Sequence, residues 1–214
     1  HLSIRRQRQM CIRDSLQTIR ILGGKLYRFV EPVKSEQLKN HKITHAIQHA
    51  SPHFDERPDE SDISLLVIHC ISLPEGEYGT PYVKDLFMGE LQINAHPDFA
   101  PLEGLRVSAH CVIRRDGTLE QYVPFDKRAW HAGQSRYCGR KRCNDFSIGI
   151  ELEGTDQSAY TDKQYQCLVE VTELLLMHYP KLNRRRIIGH EHIAPGRKTD
   201  PGSGFDWPRY LNQL

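Results

Sequence analysis

Apolar positions along the 214-residue chain recur with two periods, and these mark out its elements. Ser64–Cys70 is a continuous apolar run closing on His69, the pattern of a strand buried on both faces. Cys111–Arg114 and Thr118–Val123 alternate on either side of Asp116-Gly117, which predicts a hairpin turning there. Ser147–Gly154 alternates too, with Ile148, Ile150 and Leu152 on one face and Gly149, Glu151 and Glu153 on the other. Thr161 and Gln164 make a capping-box pair. Behind them Tyr165, Leu168, Val169, Thr172, Leu175, Leu176 and Tyr179 recur every three or four residues up to Pro180, predicting a helix that packs on the sheet. Leu73–Gly79 reads as loop and Pro81–Gly89 as a short helix. Arg186–Gly189 reads as a short strand ending at His190, Ile193–Ser203 as a Pro/Gly-rich loop, and Asp206–Leu214 as a closing helix.

Before residue 51 the signals are weaker. Ser35–Ala50 predicts a helix with His41, His45 and His49 on one stripe; no carboxylate or cysteine joins them, so the stripe reads as a solvated face rather than a metal site. Ser51–Glu60, rich in proline and charge, is expected to lead into the compact domain, residues 51–214. Residues 1–20 show no clear periodicity, and residues 9–15 resemble a translated sequencing adapter. Residues 1–50 are therefore set apart as a basic extension outside the fold.

Charge sharpens that division, because residues 1–50 hold ten Lys/Arg against three Asp/Glu while the remainder holds 19 against 24. A basic head of this kind would suit nucleic acid only if it belonged to the protein, so no nucleic-acid partner is expected. With 38% hydrophobic and 26% charged residues, the composition is that of an ordinary globular protein and excludes collagen-like, coiled-coil and wholly disordered chains. The best apolar runs, Leu65–Ile68 and Leu174–Met177, fall far short of the roughly 18 residues of a membrane span. Six cysteines form no CxxC pair and no signal-peptide pattern opens the chain, which favours a reducing cytoplasm; Cys70, Cys111 and Cys167 sit in apolar patterns and read as free buried thiols.

Three candidate ligands fall where strands hand over to loops: His69, His190 and Asp200. Two imidazoles and one carboxylate are a normal set for catalytic zinc, which takes three protein donors and keeps a fourth position for water. His192 is a rival ligand, because positions 190 and 192 of an extended segment point the same way.

Five blocks carry a family resemblance: VIHCISLPEGEYG (67–79), RVSAHCVIRRDG (106–117), VPFDKRAWHAG (123–133), RCNDFSIGIELEGTD (142–156) and GHEHIAPGRKTDPG (189–202). In this order, over about residues 51–210, the chain closely resembles the AmpD-type 1,6-anhydro-N-acetylmuramoyl-L-alanine amidases, and more distantly phage zinc amidases and peptidoglycan recognition proteins.

The resemblance implies an α/β fold, a central mixed β-sheet flanked by helices. It implies one Zn²⁺ per chain held by His69, His190 and Asp200, with Glu151 and Lys198 as catalytic residues beside it. Asp200 stands where phage relatives use cysteine, and Ala109 lies near the place of their tyrosine, which strengthens the case for Glu151. A carboxylate there would carry a proton from water to the leaving amine, and an ammonium at Lys198 would face the oxyanion. Arg106, Arg142 and Arg197 are candidates to clamp stem-peptide carboxylates, Asn144 to fix loop or ligand amides, and Trp130 to offer an apolar face to a sugar or lactyl group. His131 and His110 read as pocket wall or as support behind the ligands, His110 as structural. The expected activity is hydrolysis of the amide between the lactyl group of anhydro-N-acetylmuramic acid and L-alanine, in bacterial cell-wall recycling, by a monomer acting on small muropeptides. The alternatives are a non-catalytic peptidoglycan-binding module and an exported autolysin acting on polymeric wall.

Overall fold

The computed structural model describes the backbone of residues 17–22 and 25–30, and all of residues 37–214. The chain divides into two compact units, His1–Lys34 and Ser35–Leu214. In the first, Gln17–Leu22 and Lys25–Val30 pair as an antiparallel hairpin. The adapter-like residues 9–15 lie outside the described residues.

The second unit begins at Ser35 rather than at 51, and of the helix expected over Ser35–Ala50 none is formed over the described residues 37–50. Leu38–Lys39 instead turns back on Lys42–Ile43 through Asn40 and His41, both in the left-handed region at φ 50° and 59°. The sheet edge supplies what a helix would have supplied internally. Ile43 N–H donates to Gln121 Oε1 at 2.8 Å, and Ile43 and Ala46 are buried. The three imidazoles separate accordingly: His41 Nδ1 meets Tyr179 Oη at 2.9 Å, His49 packs on the Tyr122 ring, and His45 is exposed.

The main sheet has six strands: β1 (Ile47–Gln48), β2 (Leu65–Ile71), β3 (Cys111–Ile113), β4 (Leu119–Gln121), β5 (Ser147–Glu153) and β6 (Ile187–Gly189). Their spatial order is β6-β2-β5-β3-β4-β1. β6, β2, β5 and β3 run parallel, β4 returns antiparallel to β3 through the Asp116-Gly117 turn, and β1 lies parallel to β4. The sheet is mixed, as the resemblance implied. Every residue of β5 is buried, including its polar alternate positions, because both faces are covered.

Helix α1 (Tyr82–Met88) contributes Val83, Leu86 and Phe87 to one apolar cluster with Val112, Tyr122 and Ala129. Helix α2 (Asp162–His178) starts at the predicted capping box and packs against β3. Its buried stripe includes Leu168, Val171, Thr172 and Leu175, with Val171 and Leu174 more buried than the expected Val169 and Leu176. Gln164, fully buried, donates to Ile113 O and Glu153 O and so fastens the helix start to the ends of two strands. Two short helices follow, α3 (His190–Ile193) and α4 (Trp207–Leu211). All five cysteines among the described residues are free; Cys111 and Cys143 are buried, Cys70 and Cys167 only partly so. No helix among the described residues is long and apolar enough to cross a membrane.

Candidate metal centre

Three neighbouring parallel strands end at the same edge of the sheet, and their register sets the candidate groups in one row. Glu151 on β5 pairs with His69 on β2, while Gly189 on β6 pairs with Ile68, so His190 falls beside His69. The carboxyl ends of parallel strands are where α/β sheets gather ligand-binding groups. The remaining donor arrives on a loop. Glu191 N–H donates to Asp200 O at 2.9 Å, which ties the Asp200 segment to the helical turn that starts at His190.

Asp200 Oδ2 lies 2.9 Å from His69 Nδ1 and 3.0 Å from His190 Nδ1, and the two Nδ1 atoms are 3.0 Å apart. Among the described residues this is the group of His, Cys, Asp and Glu side chains whose donor atoms converge as metal ligands do. Burial pushes the His69 imidazole down to about 4 against the pull of Asp200. Burial raises the Asp200 carboxyl, but the adjacent imidazoles of His190 and His69 outweigh it and hold the group well below the usual carboxylate range. Neutral imidazole beside ionised carboxylate is the protonation state that a divalent cation binds. Donors spaced 2.9–3.0 Å apart suit one small ion with bonds of about 2.0–2.2 Å. The residues therefore fit zinc.

His192 does not join them. The segment after β6 is helical rather than extended, so position 192 sits around the turn from His190. Its side chain is 54% exposed, with Nδ1 3.4 Å from Glu191 Oε1.

Glu151 stands on the same face as His69 and is buried, and its Oε2 has no hydrogen-bond partner among the described residues. A buried carboxylate oxygen without a partner is costly in a purely structural role, which points to a task at the site. Burial raises its carboxyl well above the ordinary value, the charge of Asp200 adds to this, and that of Lys198 opposes it. Lys198 is exposed on the loop between Ala194 and Asp200, where its charge is felt at both Glu151 and His69.

His131 is closer to the centre than a pocket wall. Its Nδ1 lies 2.9 Å from His69 Nε2, and its Nε2 lies 3.2 Å from Ser147 Oγ. Gly149 makes room for it: a Cβ at that position would overlap the ring, 2.5 Å from Nδ1. A glycine inside an otherwise apolar strand is the sequence signal of such a close approach, one that the alternation of β5 alone does not bring out. His110 is structural, with Nδ1 accepting from Gly149 N–H at 3.0 Å. Arg57, which no sequence pattern marks, is buried behind it and donates to Phe125 O, Asn144 O and Ser147 O.

The five expected substrate contacts divide. Arg106 and Trp130 border one cavity of about 450 Å³ with His53, Leu86 and Leu105. Trp130 leads directly into His131 and is held by a hydrogen bond from Nε1 to Asp55 Oδ1 at 3.2 Å. Arg142 is exposed, with Nε 3.3 Å from Asp145 Oδ2. Asn144 is buried, and its Oδ1 accepts the backbone N–H groups of His131 and Ala132 at 3.2 and 2.7 Å. Arg197 donates from Nη2 to Ala132 O and Gln134 O.

Two histidines at the ends of parallel strands, an aspartate brought in on a loop and a buried glutamate beside them form a possible metal site, a set that a hydrolase could use. The chain belongs to the N-acetylmuramoyl-L-alanine amidase family, whose profile matches residues 59–203. It is 63% identical over 160 residues to the 1,6-anhydro-N-acetylmuramyl-L-alanine amidase AmpD of Salmonella typhimurium strain SL1344, covering 75% of this chain and 85% of that protein. It is 51% identical over 181 residues to AmpD of Haemophilus influenzae, covering 85% and 98%. The crystal structure of a selenomethionine AmpD derivative superposes with TM-score 0.81 at 58% identity, covering 83% of this chain and 98% of that one. A complex of the Escherichia coli amidase AmiD with the substrate anhydro-N-acetylmuramic acid-L-Ala-D-gamma-Glu-L-Lys superposes with TM-score 0.53 at 25% identity, covering 91% and 65%.

Proposed function

We propose that the protein hydrolyses the amide between the lactyl group of anhydro-N-acetylmuramic acid and L-alanine in muropeptides, using one Zn²⁺ held by His69, His190 and Asp200. The observation that carries this reading is the convergence of those three donor atoms to 2.9–3.0 Å, with Glu151 next in the same row. The anhydro-muramyl substrate class is supported by the names of the AmpD relatives and by the peptide bound to AmiD.

Bound there, zinc supplies Lewis-acid polarisation of the scissile carbonyl and lowers the pKa of water. Glu151 takes one proton from the attacking water as its oxygen adds to the carbonyl carbon. It returns that proton to the amide nitrogen as the C–N bond breaks, so acid and free amine leave in balance. Lys198 sets an ammonium against the negative charge that grows on the carbonyl oxygen. Arg106, Arg142 and Arg197 clamp carboxylates of the stem peptide, and Trp130 offers its ring to the lactyl or sugar moiety beside Arg106. The five free thiols among the described residues favour work in a reducing compartment, consistent with cytoplasmic recycling of small wall fragments.

Release of free stem peptide from anhydro-muramyl-L-alanyl peptide, measured for the native chain before and after exhaustive chelation, tests the proposal. Activity abolished by chelation and restored by one equivalent of Zn²⁺ is the expected result. Full activity in the chelated protein overturns it.

A further inference from the structure

The two imidazoles of the proposed zinc set reach out on their far sides to neighbouring residues of one dipeptide. His190 Nε2 is 3.1 Å from Ala132 O, and His69 Nε2 is 2.9 Å from His131 Nδ1. Asn144 Oδ1 holds both members of that dipeptide by their backbone N–H groups.

The carbonyl groups around this pair fix where each proton sits. A carbonyl oxygen only accepts, so His190 carries its proton on Nε2 and turns the Nδ1 lone pair toward Asp200. For His69 the same result arrives through a chain. Ser147 Oγ–H donates to Cys143 O at 2.6 Å, which leaves its oxygen to accept from His131 Nε2–H at 3.2 Å. The Nδ1 of a neutral His131 is then a lone pair, and the only proton left for the 2.9 Å contact is the one on His69 Nε2. His69 Nδ1 is thereby cleared as a donor atom.

We infer that His131 is a positioning residue which, with Ala132 O, presets the tautomer and ring direction of both metal-binding histidines before any ion arrives. The inference rests on the proposed ligand set. Its distinctive feature is that His69 is oriented by a second imidazole, itself anchored by Ser147 and seated over Gly149, rather than by a carboxylate or a backbone carbonyl. Outer partners of ligating histidines fix the tautomer and raise ligand basicity.

The test compares His131→Ala, His131→Asn and His131→Gln in the full chain. Zinc affinity is read by competition with a chromophoric chelator, and the visible spectrum of the Co²⁺-loaded protein reports on the ligand field. Asparagine places an acceptor oxygen where Nδ1 sits, whereas glutamine reaches only the place of Nε2. Alanine and glutamine are expected to weaken zinc binding about 10- to 100-fold and alter the cobalt spectrum, with asparagine within about threefold of the parent. Rescue by asparagine alone separates this role from general packing. Should His131→Ala not fold, the asparagine and glutamine pair decides the matter alone. Zinc affinity unchanged in all variants, or asparagine as weak as glutamine, overturns the inference while leaving the ligand set standing. A parent that takes up no zinc overturns both.

Discussion

Glu151 and His69 are register partners on adjacent parallel strands, so their side chains leave the same face of the sheet at the same height. A proton carrier is thus fixed by backbone pairing beside a metal donor. Glu151→Gln keeps size and burial and removes only the ability to take a proton. Metal content is expected to stay at the parent level while turnover falls about 10²- to 10⁴-fold. Metal analysis and peptide-release rates on the same preparation check this. Loss of the metal together with the activity would instead make Glu151 a ligand.

Asp200→Ala removes one of three donors, and its zinc content after dialysis is expected to fall to a small fraction of the parent's. His192→Ala, which changes an exposed side chain around the helical turn, is expected to keep full zinc and near-parent activity. Equal metal loss in both variants would overturn the ligand assignment.

Gly149→Ala introduces a methyl into the His131 ring. Overpacking of this kind costs about 1–3 kcal/mol, so the urea midpoint should drop. The displaced ring should also release its hold on His69, so that zinc affinity falls in step with stability. A variant as stable as the parent would show that the ring has room to move.

Glu153 is buried and fully engaged: Arg114 Nη1, Arg115 N–H and Gly79 N–H all donate to it, at 3.2, 3.0 and 2.7 Å. Its removal leaves Arg114 paired with Glu120 and takes the acceptor from Arg115 N–H and Gly79 N–H, at a cost of about 1–3 kcal/mol. Glu153→Ala is expected to lose that much in equilibrium denaturation, although it sits on the same face as Glu151 two residues away.

Asp55 accepts from Arg128 Nε and Nη2 at 2.6 Å each. These hydrogen bonds hold its carboxyl below the ordinary 3.8. A depressed folded-state value contributes stability above the unfolded pKa and loses it as pH falls through the folded one. Asp55→Asn is therefore expected to be less stable than the parent near neutrality, with the gap closing in acid. The side chain is 44% exposed, so solvent screening keeps the effect small. Urea midpoints at neutral and acid pH check it; a gap independent of pH would remove the electrostatic account.

Local pattern carried much of this architecture. The apolar run at 64–70, the Asp116-Gly117 hairpin, the alternation at 147–153 and the capping box at Thr161 each encode their element within a few neighbours, and each is present. Ser35–Ala50 is different because its structure is decided by distant partners: Ile47 pairs with Glu120, and Ile43 N–H finds Gln121. The direction of His192 turned on whether the chain after Gly189 stays extended, which hydrophobic period cannot tell over four residues. His69, His190 and Asp200 stood out by residue type at strand ends. The work of Asn144 did not, since a carboxamide that accepts two backbone N–H groups twelve and thirteen residues away leaves no mark on spacing.

The stretch that bears Asp200 is wedged against main chain and tied down by one tyrosine. Gly202, at φ +81°, and Gly204 lie so close to the backbones of Asp156 and Ser158 that no side chain would fit at either position, and Tyr160 Oη–H donates to Pro201 O at 2.8 Å. The carboxylate is consequently parked by close backbone packing and not by the ion it meets. Little ordering entropy remains to be lost on loading. A stripped sample should behave as a reusable socket, accepting a spectroscopic surrogate such as cobalt in the cold, with no cycle of denaturation between one occupant and the next.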